Sequence, residues 1–190
     1  MNPDDPRAQR SRARLRTAIL RLAAAKDPTA ITMSEVARQA GVNRATVYQH
    51  FPDVNALITD ALDDAVAHVA RAASLCPLDA PHGTVPEPLR ELFRHVEERA
   101  GLYRRMLGTR GSAQFAARLR ERVTGELLAA FRAGRRPRGF ADVPPQTHAA
   151  YLAGALTGVI ASWVTSDAPA PADDTAAAFW RLVAGGAPAA

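Results

Sequence analysis

The stretch from Thr32 to Phe51, TMSEVARQAGVNRATVYQHF, admits few folds, because two helical runs are interrupted in it by a single glycine. Thr32 and Glu35 hold the T-x-x-E spacing of a capping box. In that motif the hydroxyl and the carboxylate each satisfy a backbone N–H that a helix start leaves unpaired, so the first run begins near Met33. Gly41 takes positive φ without steric cost and Asn43 is a favoured N-cap, so the chain turns there and a second helix runs from about Arg44 to Phe51. Val36, Ala37, Ala40, Val42, Val47 and Phe51 fall where the two helices would meet. Arg44, Ala45, Thr46, Tyr48, Gln49 and His50 then face outward, a set of short, polar and aromatic groups suited to phosphates and to base edges in a major groove. An ordinary antiparallel helix pair with a solvated face carries the same spacing, so the flanking residues have to separate the two readings.

Those residues form the longer string ITMSEVARQAGVNRATVYQHFPDVNALITDAL, Ile31 to Leu62, preceded by a basic amphipathic segment. It resembles the N-terminal domain of the TetR family of bacterial transcriptional regulators. Ala37, the Ala40-Gly41-Val42 turn, Thr46-Val47-Tyr48 and the closing His50-Phe51 stand where that family's pattern has them, and the resemblance covers roughly Arg7 to Leu62. It implies a homodimer that binds a palindromic operator in double-stranded DNA, represses a nearby promoter, and lets go when a small molecule enters the C-terminal bundle. Arg44 is assigned to a base edge, at guanine, and Thr46, Tyr48 and His50 to phosphates; Ala45, Gln49 and Ser34 complete the expected contact surface. Where relatives commonly have a phosphate-contacting lysine at the start of the fourth helix, this chain has Val54, which leaves backbone binding weaker or carried by arginines.

Composition limits the alternatives. With 190 residues, 47% of them apolar, the chain can bury a sizeable core as one domain or as a small domain joined to a larger one. Its net charge of +5 and pI near 10.3 suit a polyanionic partner without demanding one. Of the 24 basic residues only Lys26 is lysine, a bias that genome composition can produce, so the arginines are not read as functional by count. The single Cys76 excludes an internal disulfide and a multi-cysteine metal site, and a reducing cytoplasm is the expected compartment. The N-terminus carries charge without an apolar core segment, unlike a secretory signal. The most apolar run, Ala149 to Val164, is interrupted by glycine and threonine and falls short of the roughly 18–20 residues of a membrane span, so a buried helix is expected and no membrane partner.

Taken in order, residues 1–6 read as a disordered lead-in, and a first helix as running from about Arg7 to Lys26. Leu15, Ala18, Ile19, Leu22 and Ala23 make its apolar stripe, with Arg7, Arg10, Arg14 and Arg21 mostly off it, either reaching DNA phosphates or forming a solvated face. Asp27-Pro28 ends that helix. Asp53 caps a fourth helix that continues to about Leu75. The proline-rich segment from Cys76 to Pro88 is a loop; its His82 with Cys76 is too sparse a set for a metal. Leu89 to Leu107 reads as two helices broken at Gly101, Gly108 to Ser112 as a turn, and Ser112 to Ala133 as one helix with Phe115, Leu119, Val123, Leu127 and Phe131 recurring every four residues. Gly134 to Pro145 is a loop in which Arg135, Arg136 and Arg138 are either solvated or a second nucleic-acid patch. From Gln146 to Ser166, Ala150, Gly154, Gly158 and Ser162 form a strip that a second helix can approach closely, with Leu152, Leu156, Val159, Ile160 and Trp163 supplying apolar bulk. Asp173 caps a last helix with Phe179, Trp180, Leu182 and Val183, ended by Gly185-Gly186.

No strand pattern occurs, so the chain is expected to be all-α, with about nine helices. The expected domains are residues 7–52 for the helix-turn-helix and 53–186 for a regulatory and dimerisation bundle, with 187–190 as a tail. The resemblance implies that the last two helices pair with their symmetry mates through Ala150, Gly154, Leu156, Gly158, Ser162, Trp163, Phe179, Trp180 and Val183; packing of the same strip within one subunit is the alternative. Candidate effector-pocket residues are His95, Tyr103, Met106, Phe115 and Trp163, all of which would also serve as core. Five histidines are scattered without a positioned carboxylate or nucleophile, so neither catalysis nor a cofactor or metal is expected. An effector-independent DNA-binding or protein-docking module is the rival reading.

Overall fold

The computed structural model describes residues 6–26, 30–77, 84–109, 113–137 and 139–184. The expected lead-in before Pro6, the Asp27-Pro28 stop, His82, Gly111-Ser112, Arg138 and Gly185-Gly186 lie outside these residues. Among the described residues the secondary structure is helical throughout: α1 Pro6–Ala25, α2 Met33–Ala40, α3 Arg44–His50, α4 Val54–Leu75, α5 Glu87–Glu98, α6 Ala100–Leu107, α7 Ala113–Arg132, α8 Pro145–Thr165 and α9 Ala172–Ala184. The chain divides into two compact units, Met1–Ala65 and Val66–Ala190, and the division falls inside α4.

In the first unit α1 turns Leu15, Ala18, Ile19 and Ala23 inward, the four positions that the 3.6-residue period puts on one face. Val36, Val47, Leu57 and Ala61 are fully buried with them, and Ile31, Met33, Ala37 and Phe51 close the same small core. Arg16 Nε reaches Asp60 at 2.6 Å and Arg12 bonds the same carboxylate, tying α1 to the first half of α4. Asp53 Oδ1 accepts from the N–H of Ala56 at 2.8 Å, which fixes where α4 begins.

In the second unit α7 buries Phe115, Leu119, Val123, Leu127 and Phe131, one residue per turn. That row packs on α8, whose bulky face carries Leu152, Leu156, Ile160 and Trp163, while α5 packs on α9 and α6 on α8. The break between α5 and α6 falls at Arg99, not at Gly101. Arg99 leaves helical geometry at φ −119° and ψ 24°, its N–H closing on Val96, and its own carbonyl accepts from Leu102 and Tyr103 to start the next helix. Gly101 lies within α6 and needs no special φ; among the described residues the positive-φ glycines are Gly41, Gly134 and Gly139.

The start of α2 should be acid-sensitive. A hydrogen bond from Lys26, joined by bonds from the backbone and hydroxyl of Thr32, holds the Glu35 carboxyl down to about 2 from 4.5. A carboxylate depressed in the fold stabilises it fully above its ordinary value and loses that contribution as pH falls through the folded one, so the loss runs from about 4.5 to about 2. Glu35→Gln should flatten the acid limb of the stability profile in that window, read by urea unfolding at stepped pH. Thr32→Ala, which removes the cap acceptor, should cost about 1 kcal/mol at neutral pH. Parallel acid limbs for wild type and Glu35→Gln would show that the box carries no pH-dependent stability.

Candidate nucleic-acid interface

The angle between α2 and α3 is set by three local devices. At the start of α2, Glu35 N–H donates to Thr32 Oγ1 at 3.3 Å and Thr32 N–H donates back to Glu35 Oε2 at 3.0 Å. Lys26 Nζ, at 2.6 Å from Glu35 Oε1 and 3.0 Å from the Ala30 carbonyl, pins the incoming chain to the same carboxylate. Gly41 then takes φ 63° and ψ 39°, its N–H turned toward the Ala37 and Arg38 carbonyls, and Val42 N–H closes on Ala37 at 3.1 Å. Asn43 Oδ1 accepts from Ala45 N–H at 2.9 Å and opens α3.

With Val47 and Phe51 buried, α3 presents Arg44, Ala45, Tyr48 and Gln49 to solvent, and Ser34 is exposed on α2. Thr46 and His50 are half-buried rather than fully outward. Arg44 lies one turn below Tyr48, its guanidinium carbon 5.6 Å from the ring centroid and Nη2 3.4 Å from the phenol oxygen. The pair therefore stiffens a long side chain on an exposed face. Burial, with the nearby Arg12 charge adding to it, lowers the His50 pKa, so at neutral pH this residue is an uncharged imidazole, able to donate one hydrogen bond but not to supply a cation.

The arginines of α1 are sorted by the structure. Arg7, Arg10, Arg14 and Arg21 are exposed, with Arg10 Nε bonded to the Pro6 carbonyl at 3.1 Å. Arg12 and Arg16 are engaged with Asp60, and Arg12 also covers the Phe51 ring at 5.4 Å. Burial pushes the Asp60 carboxyl up, but the bonds from Arg16 and Arg12 outweigh it and hold it below its ordinary value. Val54 is half-buried at the start of α4 and offers no cation. Two of the three arginines read as either solvated or a second patch are held by the fold instead. Arg135 Nη1 donates to the Ser74 carbonyl at 3.1 Å, and Arg136 donates to the Val143 carbonyl, contacts His148 and covers Phe131 at 5.9 Å.

Of the candidate pocket residues, His95, Tyr103 and Phe115 come together, with ring centroids 6.3 Å apart from His95 to Tyr103 and 6.3 Å from Tyr103 to Phe115. His68 of α4, which periodicity did not single out, stacks flat on His95 at 3.9 Å. Met106 is half-buried on α6. Trp163 stands apart from this group in its contacts: it meets Phe93 edge-on at 5.5 Å, donates through Nε1 to the Ala170 carbonyl at 2.8 Å, and lines an open cavity of about 270 Å³ with Glu97, Ala100 and Arg104. Cys76 is buried, its thiol pushed up to about 12 by that burial, so it is unreactive. Among the described residues no three His, Cys, Asp or Glu side chains gather where a metal could bind, and no helix is long and apolar enough to cross a membrane.

The expected dimer residues divide into two groups. Ala150, Gly158 and Ser162 are exposed and Gly154 is half-exposed; a Cβ added at either glycine would meet nothing within 4 Å. Among the described residues the strip is thus not used for packing within the subunit. Leu156, Trp163, Phe179 and Trp180, by contrast, belong to the subunit's own core, since α8 turns its bulky face to α6 and α7 and α9 turns its aromatics to α5. Val183 is half-buried, while Tyr151, not singled out by sequence, and Leu182, named in the last helix but not at the interface, are 68% and 74% exposed.

The comparisons agree with this architecture. Residues 15–61 match the family described as bacterial regulatory proteins, tetR family, and residues 84–185 match a transcriptional regulator C-terminal region. Among solved structures, a TetR-family transcriptional regulator from Syntrophomonas wolfei is similar at 18% identity, with a TM-score of 0.69 over 94% of this chain and 96% of that one. The fatty acid degradation regulator FadR from Bacillus halodurans is similar at 16% identity and a TM-score of 0.67, over 93% of this chain and 95% of that one. A regulator from Mesorhizobium loti gives 19% identity and 0.65, over 95% and 98%. No curated protein matches the chain. With its N-terminal helix-turn-helix and its C-terminal bundle both matched, this chain belongs to the TetR family and is a DNA-binding transcriptional regulator, not an enzyme.

Proposed function

We propose that the protein acts in the cytoplasm as a homodimeric repressor, binding a palindromic operator through α3 of each subunit and releasing it when a small molecule enters the second unit. The observation that carries the DNA reading is the outward face of α3, where Arg44, Ala45, Tyr48 and Gln49 stand exposed on a short helix clamped at both ends. Arg44, oriented along Tyr48, reads a base edge, and guanine offers the two acceptors a guanidinium fits. Tyr48, Thr46 and the neutral His50 donate to phosphate oxygens, with Ala45, Gln49 and Ser34 filling out the contact surface. The exposed arginines of α1 then substitute for the cation that Val54 does not provide.

Dimerisation is supported by the free strip of α8. Ala150, Gly154, Gly158 and Ser162 allow a second copy's helices to approach closely, and Tyr151 of the same helix and Leu182 of α9 are exposed as well. A single helix-turn-helix spans few base pairs, whereas a two-fold dimer reads two half-sites. Effector control is supported by the aromatic and imidazole cluster of His95, Tyr103 and Phe115, although Trp163 is committed elsewhere. An effector acts by binding better to the arrangement that cannot span the operator.

Three outcomes test this reading. Selection from a randomised duplex pool at several salt concentrations should recover a palindrome with half-sites about one helical turn apart, and the salt slope counts the phosphates neutralised; retention without a motif would leave only general charge binding. Arg44→Ala should relax discrimination at one base position per half-site at a cost of about 1–3 kcal/mol, whereas Tyr48→Phe should weaken cognate and random DNA alike. Equal losses on both DNAs for Arg44→Ala would remove its base-reading role. Gly158→Arg, at a position where the subunit has room, should leave the helical content intact and yield monomers in sedimentation; dimers of undiminished stability would place the interface elsewhere.

A further inference from the structure

Of the buried polar groups that the second unit leaves without hydrogen-bond partners, two belong to neighbouring rings. Tyr103 of α6 has no exposed surface, and its hydroxyl bonds to nothing. His95 of α5 stands edge-on to it, and its Nε2 is buried and likewise unpartnered. A buried hydroxyl or ring nitrogen left unsatisfied costs stability that an apolar side chain of the same shape would not cost, so such groups require a reason. The surroundings supply one. Phe115 of α7 gives an apolar wall beside Tyr103, and the exposed imidazole of His68 lies flat on His95, placing the pair beneath the surface rather than at the bundle's centre.

Arg99 brings a positive charge toward the cluster, part of it met by Glu98. Arg99, in the break between α5 and α6, donates to the His95 carbonyl at 3.4 Å and pairs with Glu98 at 2.9 Å. Burial first, then Arg99 and His68, push the His95 imidazole down to about 3, while burial raises the Tyr103 phenol and Arg99 partly offsets it. Both groups are therefore neutral at physiological pH, and both can donate: Tyr103 through its O–H, His95 through an Nε2-protonated ring. An ammonium ligand would meet the field of Arg99 unfavourably, and an apolar ligand would leave both donors unmet. A carboxylate offers one oxygen to each and gains from the positive potential.

We propose that His95 and Tyr103 are the polar end of an effector site for a small organic carboxylate, whose oxygens accept from the Tyr103 hydroxyl and from His95 Nε2 with its apolar body toward Phe115. The proposal rests on the effector reading above and gives it a chemical class.

The full-length protein would be titrated calorimetrically with straight-chain acids from butyrate to dodecanoate, with benzoate and with phenylacetate, each beside its neutral amide. At least one acid should bind about tenfold tighter than its amide. Tyr103→Phe, which removes one oxygen, should melt higher than wild type in the absence of ligand and bind that acid about tenfold more weakly. Absence of binding by every acid, or equal binding of acid and amide, would overturn the proposal. So would a Tyr103→Phe protein that melts lower than wild type, since the hydroxyl would then be shown to have a partner, such as an ordered water, in the free protein. Operator release is scored separately by fluorescence anisotropy: an acid that binds with the expected selectivity but leaves DNA binding unchanged supports the site and overturns the effector reading instead.

Discussion

At Gly41 the chain takes a left-handed conformation, and the N–H groups of Gly41 and Val42 fold back onto the last carbonyls of α2. Everything the first unit offers to DNA hangs on that reversal. Helix α3 is 7 residues long, too short to persist by its own hydrogen bonds, because nucleating a helix is costly and only length repays it. It is held from outside: Asn43 caps its start, Val47 and Phe51 anchor it in the core, and the turn fixes its direction. A residue with a Cβ at position 41 would be strained by the φ of 63° even though the space around it is empty. The outward face is consequently a product of inward constraints, and its side chains are left unoccupied by the fold except for the contact between Arg44 and Tyr48.

The same logic changes how the basic character of the chain is read. A net charge of +5 suggests a diffuse attraction to nucleic acid, but several arginines are consumed by folding. Arg12 and Arg16 clamp α1 to Asp60, Arg104 donates to the Val164 carbonyl at 2.6 Å, and Arg135 and Arg136 cap carbonyls near the α7–α8 connection. Each guanidinium has five donors and can satisfy backbone carbonyls that a lysine's point charge would satisfy less specifically. The partly buried Asp60 pair matters more for geometry than for net energy, since exposed arginine–carboxylate pairs contribute little, and this one holds the ring of Phe51 under Arg12. Location, rather than number, decides which arginines are free to meet phosphate.

The first unit was legible from sequence because its signals are local. The capping box at Thr32, the Gly41 turn, the Asn43 cap and the Asp53 cap each act over three or four residues, and each stands where the pattern placed it. The break between α5 and α6 was misplaced at Gly101 because glycine permits a break without causing one; the cause lies in the backbone at Arg99. Periodicity put Leu156, Trp163, Phe179 and Trp180 on faces that must be covered, but it carries no information on whether a neighbouring helix or a second subunit does the covering. The stacking of His68 on His95 was invisible for a related reason, since an exposed histidine on α4 has no periodic signature and its partner lies on another helix.

The second unit shows why some polar groups are satisfied and others are not. Trp163 finds the Ala170 carbonyl, and Arg104 finds those of Val164 and Ser166, because these carbonyls lie at or beyond the end of α8, where no following turn claims them. Tyr103 and His95 lie on α6 and α5, where a carbonyl within a helix is taken by the N–H four residues on, and Trp180 Nε1 is likewise unpartnered beside a cavity lined by Leu89, Leu152 and Leu156. A sequence selected for bundle stability alone would carry phenylalanine or leucine at such positions. On the reading proposed above, the stability forgone there leaves hydrogen-bond donors in an apolar setting, the chemistry a bundle needs to hold a polar ligand and lacks when it is only a core.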